Sequence, residues 1–331
     1  MNKYSAAINN MLKNKIQDRD FSFFHPSSFG NCPRYIYFEM SGVGSDDDIT
    51  PEQIRIFDNG HAVHLRHQLY CLETGILQQE VAAEVKEKTI TMLNKEINVV
   101  EIIGESGRIY RYLPDETLFR ADLPLMDYRV FGYTFPGVSK AQDMKPGNKF
   151  WLAEVSFYDE EYHFGGHCDA IVNIEGTEYI IDWKSVSDHS VPYCFFSEDR
   201  IDTYFSKYPD RYNSVCFICG DVMANSRELS RHLISTHYNE ISPDFKHVVQ
   251  LHIYMWQFNV PQSILVHEIK SSQEIIEHII PMDERLVKSI KDRSKKLWKC
   301  IIEKNLPDIP TNYCSARYPC LKCGYRRHCY E

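Results

Sequence analysis

Residues 165–186 read GGHCDAIVNIEGTEYIIDWKSV, and the fold turns on them. Two runs rich in β-branched and aromatic residues flank a glycine turn, the pattern of successive strands. Asp169 sits in the first strand signal. Asp182 and Lys184 lie two apart in the second, so strand alternation puts both on one face. Carboxylates arranged this way can share a cation. Hydrolysing a phosphodiester at neutral pH needs a metal to polarise the phosphate and activate water, and a nearby cation for the developing charge. Asp169, Asp182 and Lys184 supply those parts, and Mg2+ or Mn2+ suits such oxygen ligands.

Working outward, FWLAEVSFYD (150–159) predicts a strand before this pair, and its Glu154 is a candidate further ligand or an exposed strand carboxylate. IRIFDNGHAVHLRHQLYCLETG (54–75) has helical periodicity with Gly75 as stop signal. DFKHVVQLHIYMWQFNV (244–260) also reads as a helix, SILVHEIKS (263–271) as a strand, and DERLVKSIKDRSKKLWKCIIEK (283–304) as a long amphipathic helix with a basic outer face. A helix is expected to begin near Cys32 or Pro33. The expected organisation is a helical region 1–82, an insertion or subdomain 83–150, core strands 151–211, an inserted unit 212–240, a second core part 241–306 and a cysteine-bearing segment 307–331.

The order of these motifs resembles the RecB-like branch of the PD-(D/E)XK nucleases. That family carries G-x-x-x-H on a helix, G-x-x-D and D-x-K on strands, and Q-x-x-x-Y on a later helix. Here these correspond to Gly60 to His64, Gly166 to Asp169, Asp182 to Lys184, and Gln250 to Tyr254. The resemblance covers about half the chain. It implies a restriction-endonuclease-like α/β fold, a mixed sheet flanked by helices. It further implies that His64, Asp169, Asp182 and the backbone carbonyl of Trp183 bind the metal. Lys184 would position or activate the attacking water, and Gln250 and Tyr254 would support the site and the substrate strand. His61 and His67 flank His64, which is chosen on spacing.

The chain ends in YPCLKCGYRRHCYE (318–331), with Cys320, Cys323 and Cys329 at a metal-ligand spacing one donor short. One subgroup of the same family, which includes AddB-type nucleases and CRISPR-associated RecB-like exonucleases, holds a 4Fe-4S cluster with one N-terminal and three C-terminal cysteines. The N-terminal NCPRYIY (31–37) resembles that subgroup's first motif, which implies Cys32 as fourth ligand and a clasp between the two ends. The rival is a local four-cysteine zinc site using Cys314. Cys71, Cys168, Cys194 and Cys300 are expected to be buried thiols.

CFICGDVMANSRELSRHLISTH (216–237) matches a two-Cys, two-His zinc finger: two residues between Cys216 and Cys219, twelve before His232, and four before His237. Leu229 and Met223 occupy its packing positions. If its helix read DNA, Asn225, Glu228 and Arg231 would face base edges, while Arg227 and Arg231 could hold phosphate. One finger covers only about 3 bp. A structural or protein-docking finger fits the same residues.

The chain has 331 residues, 43% of them apolar, a net charge of −9 and eleven cysteines. This composition argues against a disordered chain and a generally sticky nucleic-acid binder, leaves room for a local basic groove, and favours metal sites over disulfides. No run approaches the ~20 apolar residues needed to cross a bilayer, so a cytoplasmic protein without membrane partners is expected. The expected function is a metal-dependent DNA nuclease, foremost an exonuclease on single-stranded or end-containing DNA, in recombination, repair or DNA processing. Recombination, helicase or CRISPR proteins are the partners to expect. The alternatives are a non-catalytic DNA-end-binding module and an endonuclease guided by the finger. The basic face of the last long helix (Lys288, Lys291, Lys295, Lys299) can follow a strand or simply face solvent.

Overall fold

A computed structural model describes residues 3–13, 22–45, 49–93, 95–128, 133–187, 215–216, 219–237, 243–309, 320 and 323–330. The chain is a mixed α/β structure. Four helices open it: α1 (Lys3–Lys13), α2 (Pro26–Phe29), α3 (Pro33–Met40) and α4 (Pro51–Glu73). Thr50 and Gln53 form a reciprocal capping box at the start of α4, with Pro51 at its first turn. Gly75, at φ +75°, lies just beyond its end.

Eight strands follow: β1 (Gln79–Met92), β2 (Lys95–Gly104), β3 (Ile109–Tyr112), β4 (Thr117–Arg120), β5 (Met126–Tyr128), β6 (Tyr133–Phe135), β7 (Gly137–Lys140) and β8 (Lys149–Trp151). Six of them form a sheet of order β3-β2-β1-β8-β4-β7, and β5 pairs with β6. The segment expected as a subdomain is therefore a sheet of its own. The expected boundary at 82/83 falls inside β1.

The second sheet contains β9 (Ala153–Asp159), β10 (Phe164–Ile174), β11 (Thr177–Val186), β12 (Gln262–Ile269) and β13 (Ile275–Pro281), in the order β13-β12-β11-β10-β9. Its pairs are antiparallel except β11 with β12, which run parallel. A parallel pair needs a long crossover. Here the crossover carries α5 (Ser226–His237) and α6 (Phe245–Phe258). It brings α6 back against β11 and β12. The last helices are α7 (Glu284–Ile302) and α8 (Arg326–Tyr330).

One apolar core joins both sheets. Tyr110, Tyr112 and Phe150 of the first sheet are buried in one cluster with Phe157 and Phe164 of the second and with Tyr254 and Phe258 of α6. The Phe24, Phe29 and Phe164 rings lie 4.7–5.7 Å apart pairwise, contacts worth about 0.5–1.5 kcal/mol each beyond simple burial. Phe24 also pairs with Phe164 through a parallel bridge. The N-terminal segment is thus stitched to β10. Gly30 is required where the N-terminal segment passes α6, because a Cβ there would lie 2.6 Å from Lys246 Cα. Among the described residues no helix is long and apolar enough to cross a membrane.

Candidate functional site

The five-stranded sheet carries α4 against β10 and β11 and α6 against β11 and β12, and the motif residues converge around β11. His64 comes from α4, Asp169 from β10, Asp182 and Lys184 from β11, and Gln250 and Tyr254 from α6. His64 Nδ1 lies 3.4 Å from Asp169 Oδ2, and the His64 ring lies 6.4 Å from that of Trp183. The Trp183 amide donates to Asp169 Oδ2 at 2.9 Å. Three of the four expected metal-site residues, His64, Asp169 and Trp183, are therefore neighbours, with Asp182 next to Trp183 in β11.

Asp182 is fully buried. Gln250 Nε2 donates to its Oδ1 at 3.0 Å and to the Tyr254 hydroxyl at 3.1 Å. Lys184 Nζ lies 2.6 Å from Asp182 Oδ2. Burial, and then the charge of Asp182, pushes the Asp169 carboxyl well above the usual range. Burial opposes the Lys184 ammonium, but Asp182 and Asp169 outweigh it and hold its pKa above the ordinary value. Burial and then Lys184 depress His64, keeping it neutral and able to ligate. Two buried carboxylates beside a neutral imidazole form a donor set that a divalent cation would stabilise.

The donor atoms of His64, Glu154 and Asp169 lie within 4.8 Å of one another and can hold a metal ion. Glu154 opens β9 at φ +49°, a left-handed conformation uncommon for a residue with a side chain. Gln68, one turn beyond His64 on α4, donates to Glu154 Oε1 at 2.7 Å and to the Asp169 carbonyl at 3.1 Å. Of the two histidines flanking His64, His61 is exposed, while His67 stacks on Trp183 with planes 11° apart. His67 Nε2 lies 2.8 Å from Glu268, which also pairs with Arg66.

The chain's two ends meet elsewhere. Cys32 caps α3, its sulfur accepting from the Tyr35 amide at 3.3 Å. Burial, and then Cys323 and Cys320, raises the Cys32 thiol. Cys329 is pushed up to about 11 by burial and then by Cys32 and Cys323. Cys32 thus lies near Cys320 and Cys323, and Cys329 near Cys32 and Cys323. Around them Arg34 donates to the carbonyls of Pro307 (2.8 Å) and Cys329 (3.2 Å). Tyr325 packs against Tyr35 and Phe38. Cys314 and Cys194 lie outside the described residues. Cys71 and Cys168 are buried as expected, and Cys300 is half-buried.

Cys216, Cys219, His232 and His237 form a second group whose donor atoms lie within 4.8 Å of one another and can hold a metal ion. Cys219 Sγ and His232 Nε2 are 3.3 Å apart. Cys216, Leu229, Leu233 and His237 are buried, and Val215 bridges Val222. Asn225 Oδ1 accepts from the Glu228 amide at 3.1 Å, and Glu228 Oε2 accepts from the Ala224 amide at 3.0 Å. Two of the three residues expected to face base edges are thus engaged in starting α5. Arg227 and Arg231 are exposed.

No family model and no curated protein matches the chain. A solved structure titled "Crystal structure of SSO0001" is similar at a TM-score of 0.39 and 13% identity, covering 99% of this chain and 96% of that one. A likeness this distant carries no argument about fold or function.

Sequence reasoning left Glu154 open and passed over Gln68 entirely. Their placement depends on a left-handed backbone and a helix-to-strand contact, neither of which has a motif. The strand β13 was also missed. Its IIEHIIP stretch follows closely on β12 and offers weak alternation.

Proposed function

We propose that the chain is a metal-dependent nuclease acting on DNA, foremost an exonuclease on single-stranded or end-containing substrate, with a restriction-endonuclease-like core. The observation that carries this reading is the meeting of His64, Asp169, Asp182, Lys184, Gln250 and Tyr254 from four elements around one buried pair of carboxylates. The donors fit Mg2+ or Mn2+, held by His64, Asp169 and the Trp183 carbonyl with Glu154 or Asp182. When bound, such an ion polarises the scissile phosphate and lowers the pKa of a bound water. Gln250 and Lys184 each engage one oxygen of the Asp182 carboxylate and keep it aimed. The Lys184 ammonium, partly open to solvent, places positive charge where a phosphorane-like charge develops and where an attacking water is oriented. Tyr254 buttresses Gln250 from behind.

Cys32, Cys320, Cys323 and Cys329 fit a 4Fe-4S cluster, since soft thiolates are its usual ligands and the four sulfurs come from segments that meet here. Its role is a clasp. Cys216, Cys219, His232 and His237 fit zinc in a finger-like unit. With Asn225 and Glu228 occupied in capping, Arg227 and Arg231 are its remaining phosphate contacts, and base reading is the weaker use of the finger.

The test follows end-labelled linear single-stranded DNA and a closed single-stranded circle with Mg2+ or Mn2+, comparing anaerobically purified protein with Asp182→Ala. Cutting of the linear substrate alone, abolished by the substitution, is expected. Cutting of both would make the protein an endonuclease. Binding with no metal-dependent cutting would make it a DNA-end-binding module.

A further inference from the structure

We propose that Gln68 is a positioning residue for the cation site, holding Glu154 in place as a metal ligand beside His64 and Asp169. The proposal rests on the cation site argued above and assigns a role to a residue outside its motifs. Gln68 is buried, and its one amide nitrogen bridges Glu154 Oε1 and the Asp169 carbonyl. The three donors come from α4, β9 and β10, and Gln68 bonds the last two from the helix that carries His64. Being four residues beyond His64, it projects from the same face of α4.

Glu154 needs such a tether. Its backbone is left-handed at φ +49°, a conformation that persists where its surroundings hold it. Its carboxylate lies within 4.8 Å of the His64 and Asp169 donors, and without a tether this flexible side chain could leave that cluster for solvent. A neutral amide donor holds the carboxylate inward and leaves its second oxygen for a cation. A carboxylate, a hydrophobic group or a shorter side chain at position 68 would not. Partners that orient metal ligands in this way are worth about 10- to 100-fold in metal affinity.

The test measures Mn2+ binding by calorimetry and electron paramagnetic resonance on the intact, anaerobically purified protein, comparing wild type, Gln68→Met, Glu154→Gln and the double variant. Each single substitution is expected to raise the Mn2+ Kd about 10- to 100-fold. The double variant should add little, because both act through one carboxylate. Unchanged Mn2+ affinity in Gln68→Met with a lowered unfolding temperature would make Gln68 a packing residue and overturn the proposal. If Gln68→Met does not fold, Gln68→Asn, which withdraws the amide by one methylene, gives the same comparison. Wild-type protein whose Mn2+ binding is sensitive to Glu154→Gln, but which cuts no DNA, would defeat the nuclease reading and leave this one standing. Mn2+ binding indifferent to Glu154→Gln would defeat this one alone.

Discussion

The Lys184 ammonium lies 2.6 Å from Asp182 Oδ2, while Gln250 occupies the other oxygen of the same buried carboxylate at 3.0 Å. Asp182 therefore has both oxygens engaged, one by a cation and one by an amide. Lys184→Met should leave it without a counter-ion and cost about 3 kcal/mol of stability. Added Mn2+ should recover part of that loss. Nuclease turnover should fall by about 100- to 1000-fold, the scale for losing one charge-stabilising group. Chemical denaturation with and without Mn2+, alongside the linear-substrate assay, checks both effects. Equal stability in the variant without metal would show that the Lys184–Asp182 pair does not hold this part of the fold together.

The cysteines make an analytical prediction. Cys32→Ala and Cys329→Ala should each lose bound iron and its visible absorption, and should lower the unfolding temperature, because either change opens the clasp. Cys314→Ala should keep its iron. Metal analysis of anaerobic preparations decides it, and zinc without iron, lost in Cys314→Ala, would favour the local four-cysteine site.

In the finger-like unit, Arg227→Ala and Arg231→Ala should weaken DNA binding about equally for all sequences. Each should reduce the slope of log affinity against log salt by roughly one. Asn225→Ala and Glu228→Ala should instead lower stability by about 1 kcal/mol through a lost helix start, with sequence preference unchanged. A shift in preferred sequence on changing Asn225 or Glu228 would restore base reading.

The imidazole of His163 stacks on Trp298 with centroids 3.5 Å apart, and burial lowers its pKa from 6.5 to about 4. The unfolded chain binds this proton more readily than the folded one. Its contribution to stability is therefore complete above about pH 6.5 and is lost as pH falls toward 4. His163→Asn, which tolerates the left-handed φ of +60° at this position, should flatten the stability profile between those values. Equilibrium unfolding across that range reads it directly.

Much of the fold was legible because its punctuation is local. Gly75 ends α4, Pro33 opens α3 behind Cys32, and the runs around Asp169 and Asp182 are rich in β-branched and aromatic residues, as strands are. The residues around Asp182 were legible for the same reason, since Gln250 and Tyr254 are one helical turn apart. What escaped was whatever depended on tertiary contact. The carboxylate of Glu154 faces the site only because its backbone is left-handed and Gln68 holds it. The strands of residues 79–151 gain their meaning from pairing partners such as Gln79 with Trp151, far apart in the chain. Asn225 and Glu228 looked like base readers from their spacing, whereas their hydrogen bonds show them serving α5.

Arg34 and Cys329, which meet beside the cysteine clasp, are 295 positions apart in the chain. At ribosomal speeds of about 5–20 residues per second, Cys32 would wait roughly 15–60 s for its companions to be made. During that interval the thiol at the head of α3 is open to oxidants and stray metals. The Phe24 and Phe29 contacts with Phe164 involve partners that emerge earlier and can seat the N-terminal segment on β10 in the meantime. The clasp would then close well after the N-terminal segment is seated, as a seal on those contacts, and any premature stop upstream of Cys329 would leave that seal unmade.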